Sequence, residues 1–178
     1  MGLCKKTGKR TAILAALAML FIALLSGCAD DGVRTFTKDL AQDAEDYRAA
    51  VGYQKTAESE DGTVTYTFTK SQLKDLKERY NADIQKKADE ITKSKNKIES
   101  IKVIVFAKDF TQFDVYVDNK VYSVFDAAYV LPFLRTCAFM QVLNGKKADK
   151  VDAKMNIVTV DTKEWISSAT YQKIFGEE

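Results

Sequence analysis

The sequence predicts an α+β domain: an antiparallel sheet of about four to five strands packed against one long amphipathic helix and one buried helix. Three features carry this prediction. From Thr63 to Thr69 the chain alternates strictly, with Val64, Tyr66 and Phe68 on one side and threonines on the other, the period of a half-buried strand. At Thr69 the period changes to three or four residues and stays so until Ser94. Val121 to Leu143, the most apolar stretch after residue 28, then ends at Asn144-Gly145.

Taken in order, the strand over 63–69 leads straight into the long helix, predicted from about Lys70 to Ser94. Its apolar positions are Leu73, Leu76, Tyr80, Ile84, Ala88 and Ile91. Thr69 followed by Gln72 three residues on is a capping box, in which each side chain bonds the other's backbone N–H. The lysine-rich stretch from Lys93 to Lys97 reads as a solvated face. Two strands come next. Ile101, Val103, Val105 and Ala107 form one face of the first, opposed by Lys102, Ile104, Phe106 and Lys108. Phe113, Val115 and Val117 form the apolar face of the second, and a turn at Asp109 to Thr111 makes the two an antiparallel hairpin.

The buried helix is expected over 121–143. Ser123 and Asp126 form its capping pair, Gly145 supplies the left-handed terminus, and Phe125, Ala128, Leu131, Phe139 and Val142 lie along one packed side. Pro132 should kink it by removing a backbone donor. Asp126 and Arg135, if buried, need polar partners. Alternation then returns from Val151 to Val160, with a turn at Asp161 to Lys163. Glu164 to Tyr171 reads either as a returning strand or as a short helix begun by Thr162; the adjacent Trp165 and Ile166 favour the strand. Ala29 to Gly62 shows little periodicity beyond a weak helix near Lys38 to Ala50. The expected organisation is therefore a segment 1–27 to be removed, a tether over 28–62 with room for that short helix, and a single α+β domain over 63–178.

The N-terminus carries the strongest functional signal. Lys5, Lys6, Lys9 and Arg10 precede an unbroken apolar run from Ala12 to Leu25, and no acidic residue occurs before Asp30. This is the anatomy of a secretory signal peptide. The run of 14 residues is shorter than the roughly 20 a membrane-spanning helix needs. Myristoylation at Gly2 wants Ser or Thr where the chain has Lys6. The closing residues Leu25, Ser26, Gly27 and Cys28 resemble the lipobox of bacterial lipoproteins. The resemblance implies a diacylglyceryl group on the Cys28 sulfur, fatty acylation such as palmitate, cleavage before Cys28, and attachment to the outer face of the cell membrane. An ordinary secretory peptide cut near Gly27 is the alternative.

Removing that segment takes four of the 27 basic residues and none of the 25 acids, so the formal charge moves from +2 to −2. The basic balance thus belongs to the signal and argues for no nucleic acid partner. Histidine is absent from the chain. Ser-His-Asp and Cys-His catalysis are therefore excluded, along with histidine-based zinc sites. With Cys4 removed and Cys28 lipidated, Cys137 stands alone in an apolar segment and reads as a buried hydrophobe. Ser71 and Lys74 match a Ser-x-x-Lys pattern, but no Ser-Asp-Asn or Lys-Thr-Gly partner accompanies them. Asp109, Asp114 and Asp118 lack the glycine of a calcium loop and read as turn chemistry. No catalytic residue, cofactor or metal ligand is assigned.

The stretches from Phe68 to Leu73 and from Phe113 to Val117 are also similar to those of small Gram-positive lipoproteins of uncharacterised function. There a Phe-Thr strand end opens a long helix, and a Phe-x-Val-x-Val strand precedes an aromatic-rich one. The likeness covers about two-thirds of the chain and implies no active residues. The expected function is a non-catalytic binding module of the cell envelope with a protein partner. The alternative is an extracytoplasmic carboxylate-based hydrolase of wall glycan, which needs two facing acids roughly 5–10 Å apart.

Overall fold

Gly32 forces the first structural decision. Its φ of +75° is left-handed, and a Cβ there would stand 2.0 Å from the carbonyl oxygen of Phe68, so only glycine fits. Its own carbonyl accepts the Phe68 N–H at 2.9 Å, which pins the start of the fold to the end of a strand far along the chain. The computed structural model describes residues 32–176. The stretch expected to be a signal peptide, with its lipobox-like ending at Cys28, lies outside the described residues.

The elements run β1 (Val33–Phe36), α1 (Lys38–Val51), β2 (Gln54–Glu58), β3 (Val64–Thr67), α2 (Lys70–Lys93), β4 (Ile101–Phe106), β5 (Gln112–Val117), a 3-10 turn (Val124–Tyr129), α3 (Pro132–Leu143), β6 (Lys154–Thr159), β7 (Trp165–Thr170) and α4 (Tyr171–Phe175). A short 3-10 turn at Ala148–Lys150 precedes β6. The α+β class holds. The single antiparallel sheet does not: the strands divide into a three-stranded sheet ordered β1-β3-β2 and a four-stranded one ordered β4-β5-β6-β7. Within the second, β5 and β6 are parallel, joined by the crossover that contains α3.

The tether expected over 28–62 is corrected from Gly32 onward. β1, α1 and β2 belong to the packed unit, and Phe36, Leu40, Ala44 and Tyr53 are buried in its core. Arg34, only 6% exposed, sits between Val33 and Thr35 and hides the strand from a hydropathy reading. Its Nε donates to the Leu143 carbonyl at 3.1 Å, one of the carbonyls that the end of α3 leaves without an intrahelical partner.

α3 is the hub. Phe139 stacks on Phe36 of the three-stranded sheet at 5.1 Å and lies 4.4 Å from Tyr80 of α2. Phe133 meets Phe106 and Phe113 of the four-stranded sheet edge-on. The run from Cys137 to Leu143 is buried without interruption, as a helix apolar all round should be. The predicted helix over 121–143 is nevertheless too long. Pro132 does not kink it but starts it, since the first helical position needs no N–H. The Ser123–Asp126 capping box closes a separate 3-10 turn, and Phe125 and Ala128 face water instead of the core. Gly145 is in the left-handed region, with bonds from Gly145 N to Val142 O and from Lys146 N to Gln141 O forming a Schellman terminus.

α2 forms as expected, and both halves of the Thr69–Gln72 capping box are present. β4 and β5 make the expected antiparallel pair with one change. A bulge between Ile101 and Val103 reverses the facing of the rest of the strand, so Ile104 and Phe106 turn inward while Val103 and Val105 turn out. The C-terminal segment is a strand followed by one turn of helix, β7 then α4.

Candidate interaction surfaces

The chemistry-bearing residues singled out in the sequence do not converge. Cys28 lies outside the described residues. Cys137 is fully buried, and burial pushes its thiol up to about 12, so it offers no thiolate at neutral pH. Ser71 and Lys74 stand exposed on the surface of α2, with Lys74 paired to Glu78 at 3.7 Å. Asp109 accepts the Thr111 N–H at 3.1 Å, Asp114 the Asn156 amide at 2.7 Å, and Asp118 the Lys120 N–H at 3.1 Å. Each aspartate thus serves its own turn or strand pair. Among the described residues no cluster of acids, cysteine and histidine is arranged to hold a metal ion.

Arg135 finds its partner in α1. Its Nε donates to Asp43 Oδ2 at 2.7 Å, and an Nη reaches the Asp39 carbonyl. Burial raises the Asp43 carboxyl above its ordinary range against the opposing pull of Arg135. A depression of about 280 Å³ is lined by Asp39, Asp61 and Asp149, the acids a glycan hydrolase would have to use. Asp39 accepts from the hydroxyls of Thr37 and Tyr171, and Asp149 pairs with Lys150 at 3.5 Å. The Thr63 N–H holds Asp61 below the usual carboxylate range, opposite to the shift a general acid needs.

Two apolar surfaces stand out instead. The first is the turn around Phe125. Phe125 is 81% exposed and Val124 73%, with Val121 and Tyr129 also exposed. This exposure is built in. Ser123 Oγ accepts the Phe125 N–H at 3.3 Å, while Asp126 Oδ2 accepts the Ser123 N–H at 2.9 Å and the Ser100 hydroxyl at 2.6 Å. Three hydrogen bonds thus hold two large apolar side chains in water, where a loose loop would fold them inward.

The second surface is the outer face of the four-stranded sheet. The register places Val103 opposite Tyr116, Tyr116 opposite Val158 and Val158 opposite Trp165, an apolar row across all four strands. At the spacing of neighbouring strands this row is roughly 14 Å wide. Lys163 lies over the Tyr116 ring at 4.6 Å, and Trp165 at the far edge is 62% exposed. Sequence reasoning missed both surfaces. Bulges in β4 and between β6 and β7 re-aim Val103, Val105 and Trp165, and strict alternation gives no sign of a bulge. The one usable signal at the turn is the Ser123–Asp126 pair ahead of Pro132, which marks two separate starts.

No protein-family model, curated protein or solved structure matches the chain. Among the described residues no helix is long and apolar enough to cross a membrane.

Proposed function

We propose that this chain is a lipoprotein held at the extracytoplasmic face of the cell membrane through Cys28. Its domain is a non-catalytic module that docks an envelope protein partner on the turn around Phe125. The pinned exposure of Val124 and Phe125 carries the docking half of this reading, because a capped turn that keeps aromatic and aliphatic surface in water is a pattern of interaction sites. The anchoring half rests on the basic segment, the short apolar run and the lipobox-like ending at Cys28. The engagement of Asp39, Asp61 and Asp149 within their own neighbourhood favours docking over hydrolysis.

The test is site-specific photocrosslinking in intact cells. A crosslinker at position 125 should capture one reproducible protein, and the same probe at position 86, on the exposed flank of α2, should not. No reproducible product from position 125, or the same product from both, would overturn the docking half. For the anchor, Cys28→Ala should release the protein from membranes or block its maturation, and membrane retention at the mature size would overturn it.

A further inference from the structure

Among the described residues the two sheets have four edge strands, and β7 is the barest of them. β1 is four residues long and carries Arg34, β2 carries Lys55 and Glu58, and β4 carries Lys102 and a bulge. Short length, charge and bulges all discourage a further strand from pairing. β7, from Trp165 to Thr170, has no charge and no proline, and its bulge is confined to the Trp165 end. Trp165 through Ser168 are exposed. α4 leaves the edge open, because Tyr171 is buried and turns the chain inward, where its hydroxyl donates to Asp39 of α1. One bond fixes where the β7 backbone points. The Tyr171 N–H donates to the Ala153 carbonyl at 2.8 Å, and the same register sets Asn156 opposite Ser168. Antiparallel partners alternate between bonded and non-bonded pairs, so Ser167 and Ala169 bond β6 while Ser168 turns both its N–H and its C=O to the open edge.

We propose that two copies of this domain pair antiparallel along β7, about a two-fold axis at Ser168, and join their four-stranded sheets edge to edge. The occupant follows from self-complementarity. Opposed residues of an antiparallel pair share a face, so a two-fold normal to the sheet must set a residue opposite its own copy. Ser168 is central in the regular part of β7 and presents both backbone groups, so it exchanges two N–H···O=C bonds with the partner's Ser168. That register sets Ala169 opposite the partner's Ser167 and Thr170 opposite the partner's Ile166. No like charges face each other, and the small side chains of Ser167, Ser168 and Ala169 let the backbones approach. Trp165, 62% exposed at the end of the apolar row, gains cover from the added strand. The six residues of β7 run about 20 Å. An edge this short gives less than the roughly 1,200 Å² of lasting interfaces, so the dimer exchanges with monomer. The inference is independent of the lipid anchor and of docking at Phe125.

The test is disulfide trapping in the full chain, with the unsubstituted chain as background. Under mild oxidant Ser168→Cys should give a covalent dimer several-fold faster than Ser167→Cys, whose thiols the register sets two residues out of step. It should also outpace Ser71→Cys on the exposed surface of α2. Equal rates at the three positions, or no dimer from position 168, would overturn the proposal. So would a disulfide from position 168 to a different protein alone, since the edge would then take a partner's strand. Ser168→Pro removes the N–H that faces the edge and no bond to β6. Sedimentation of the purified chain should show a dimer that grows with concentration and is lost in this variant, with near-UV circular dichroism unchanged. Ser168→Lys sets two like charges across the axis and should also abolish the dimer, which covers a proline variant that misfolds. Self-association unchanged by Ser168→Lys, or a parent chain that stays monomeric up to about 1 mM, would overturn it.

Discussion

The two ends of α2 leave different chemistry to water. At its N-terminal end stand Gly32, bonded to Phe68, and a cleft with Arg34, Lys146 and Lys147. At its C-terminal end stands the turn of Val124 and Phe125, tied to Ser100 through Asp126, with Tyr129 over Lys87 and Ile91. The 24 residues of α2 put about 36 Å between these ends. One end is basic, and the other is apolar and pinned open. The difference teaches that the domain has a chemical polarity, with a basic end and an apolar end joined by a shared core.

That core should produce the largest effect. Phe139 touches Phe36 from the first sheet and Tyr80 from α2, so Phe139→Ala should cost about 4 kcal/mol by leaving a cavity between both halves. Chemical denaturation should show one cooperative transition shifted as a whole; separate transitions for the two ends would break the idea of a shared core. Next is Gly32→Ala at the basic end. A positive φ and a backbone clash at 2.0 Å should together cost about 3 kcal/mol. A loss under about 1 kcal/mol would show that the fold begins later.

At the apolar end, Asp126→Ala removes the acceptor for Ser100 and Ser123 and should cost about 1–2 kcal/mol. Amide exchange should quicken over 123–129 and stay slow over 137–143, because the turn and α3 are separate units. Between the ends, Cys137 gives a pH test. Burial raises its folded pKa to about 12 from the ordinary 9.0, so folding favours the protonated thiol. The stability it contributes is complete below pH 9 and fades as pH rises from 9 towards 12. At pH 8 the native protein should resist thiol reagents until denaturant is added; rapid labelling without denaturant would contradict its burial. The smallest effect is expected of Phe125→Ser, within about 0.5 kcal/mol of unchanged stability, yet it should abolish capture of the same partner by a photocrosslinker placed at the neighbouring exposed position 121.

How much of this polarity is legible in the sequence varies with the forces that shape each element. α2 depends on local spacing and on a capping box between Thr69 and Gln72, both visible in the chain. The β4–β5 hairpin depends on two alternating runs and one turn, and it too is visible. β1 is not, because Arg34 breaks its pattern and is accommodated through partners that include the carbonyls of Leu143 and Val33, one of them more than a hundred residues away. The division into two sheets is hidden for a related reason: β1, β2 and β3 are four or five residues long and find their register only through one another. The outward turn of Val103 and Val105 depends on a bulge that no periodicity encodes. The tether expected over 28–62 fails in the same place as β1, because Phe36, Leu40, Ala44 and Tyr53 pack into the core through contacts with distant elements.

Polarity is tested most directly by depth. Single fluorophores at position 147 and at position 125 of the lipidated protein, on phosphatidylglycerol vesicles carrying a headgroup quencher, report which end meets the bilayer. No quenching at 125 is the predicted result, because the Phe125 turn is proposed to dock a protein and not the bilayer. Quenching at 125, with position 147 unaffected, would contradict it by placing the Phe125 turn in the membrane.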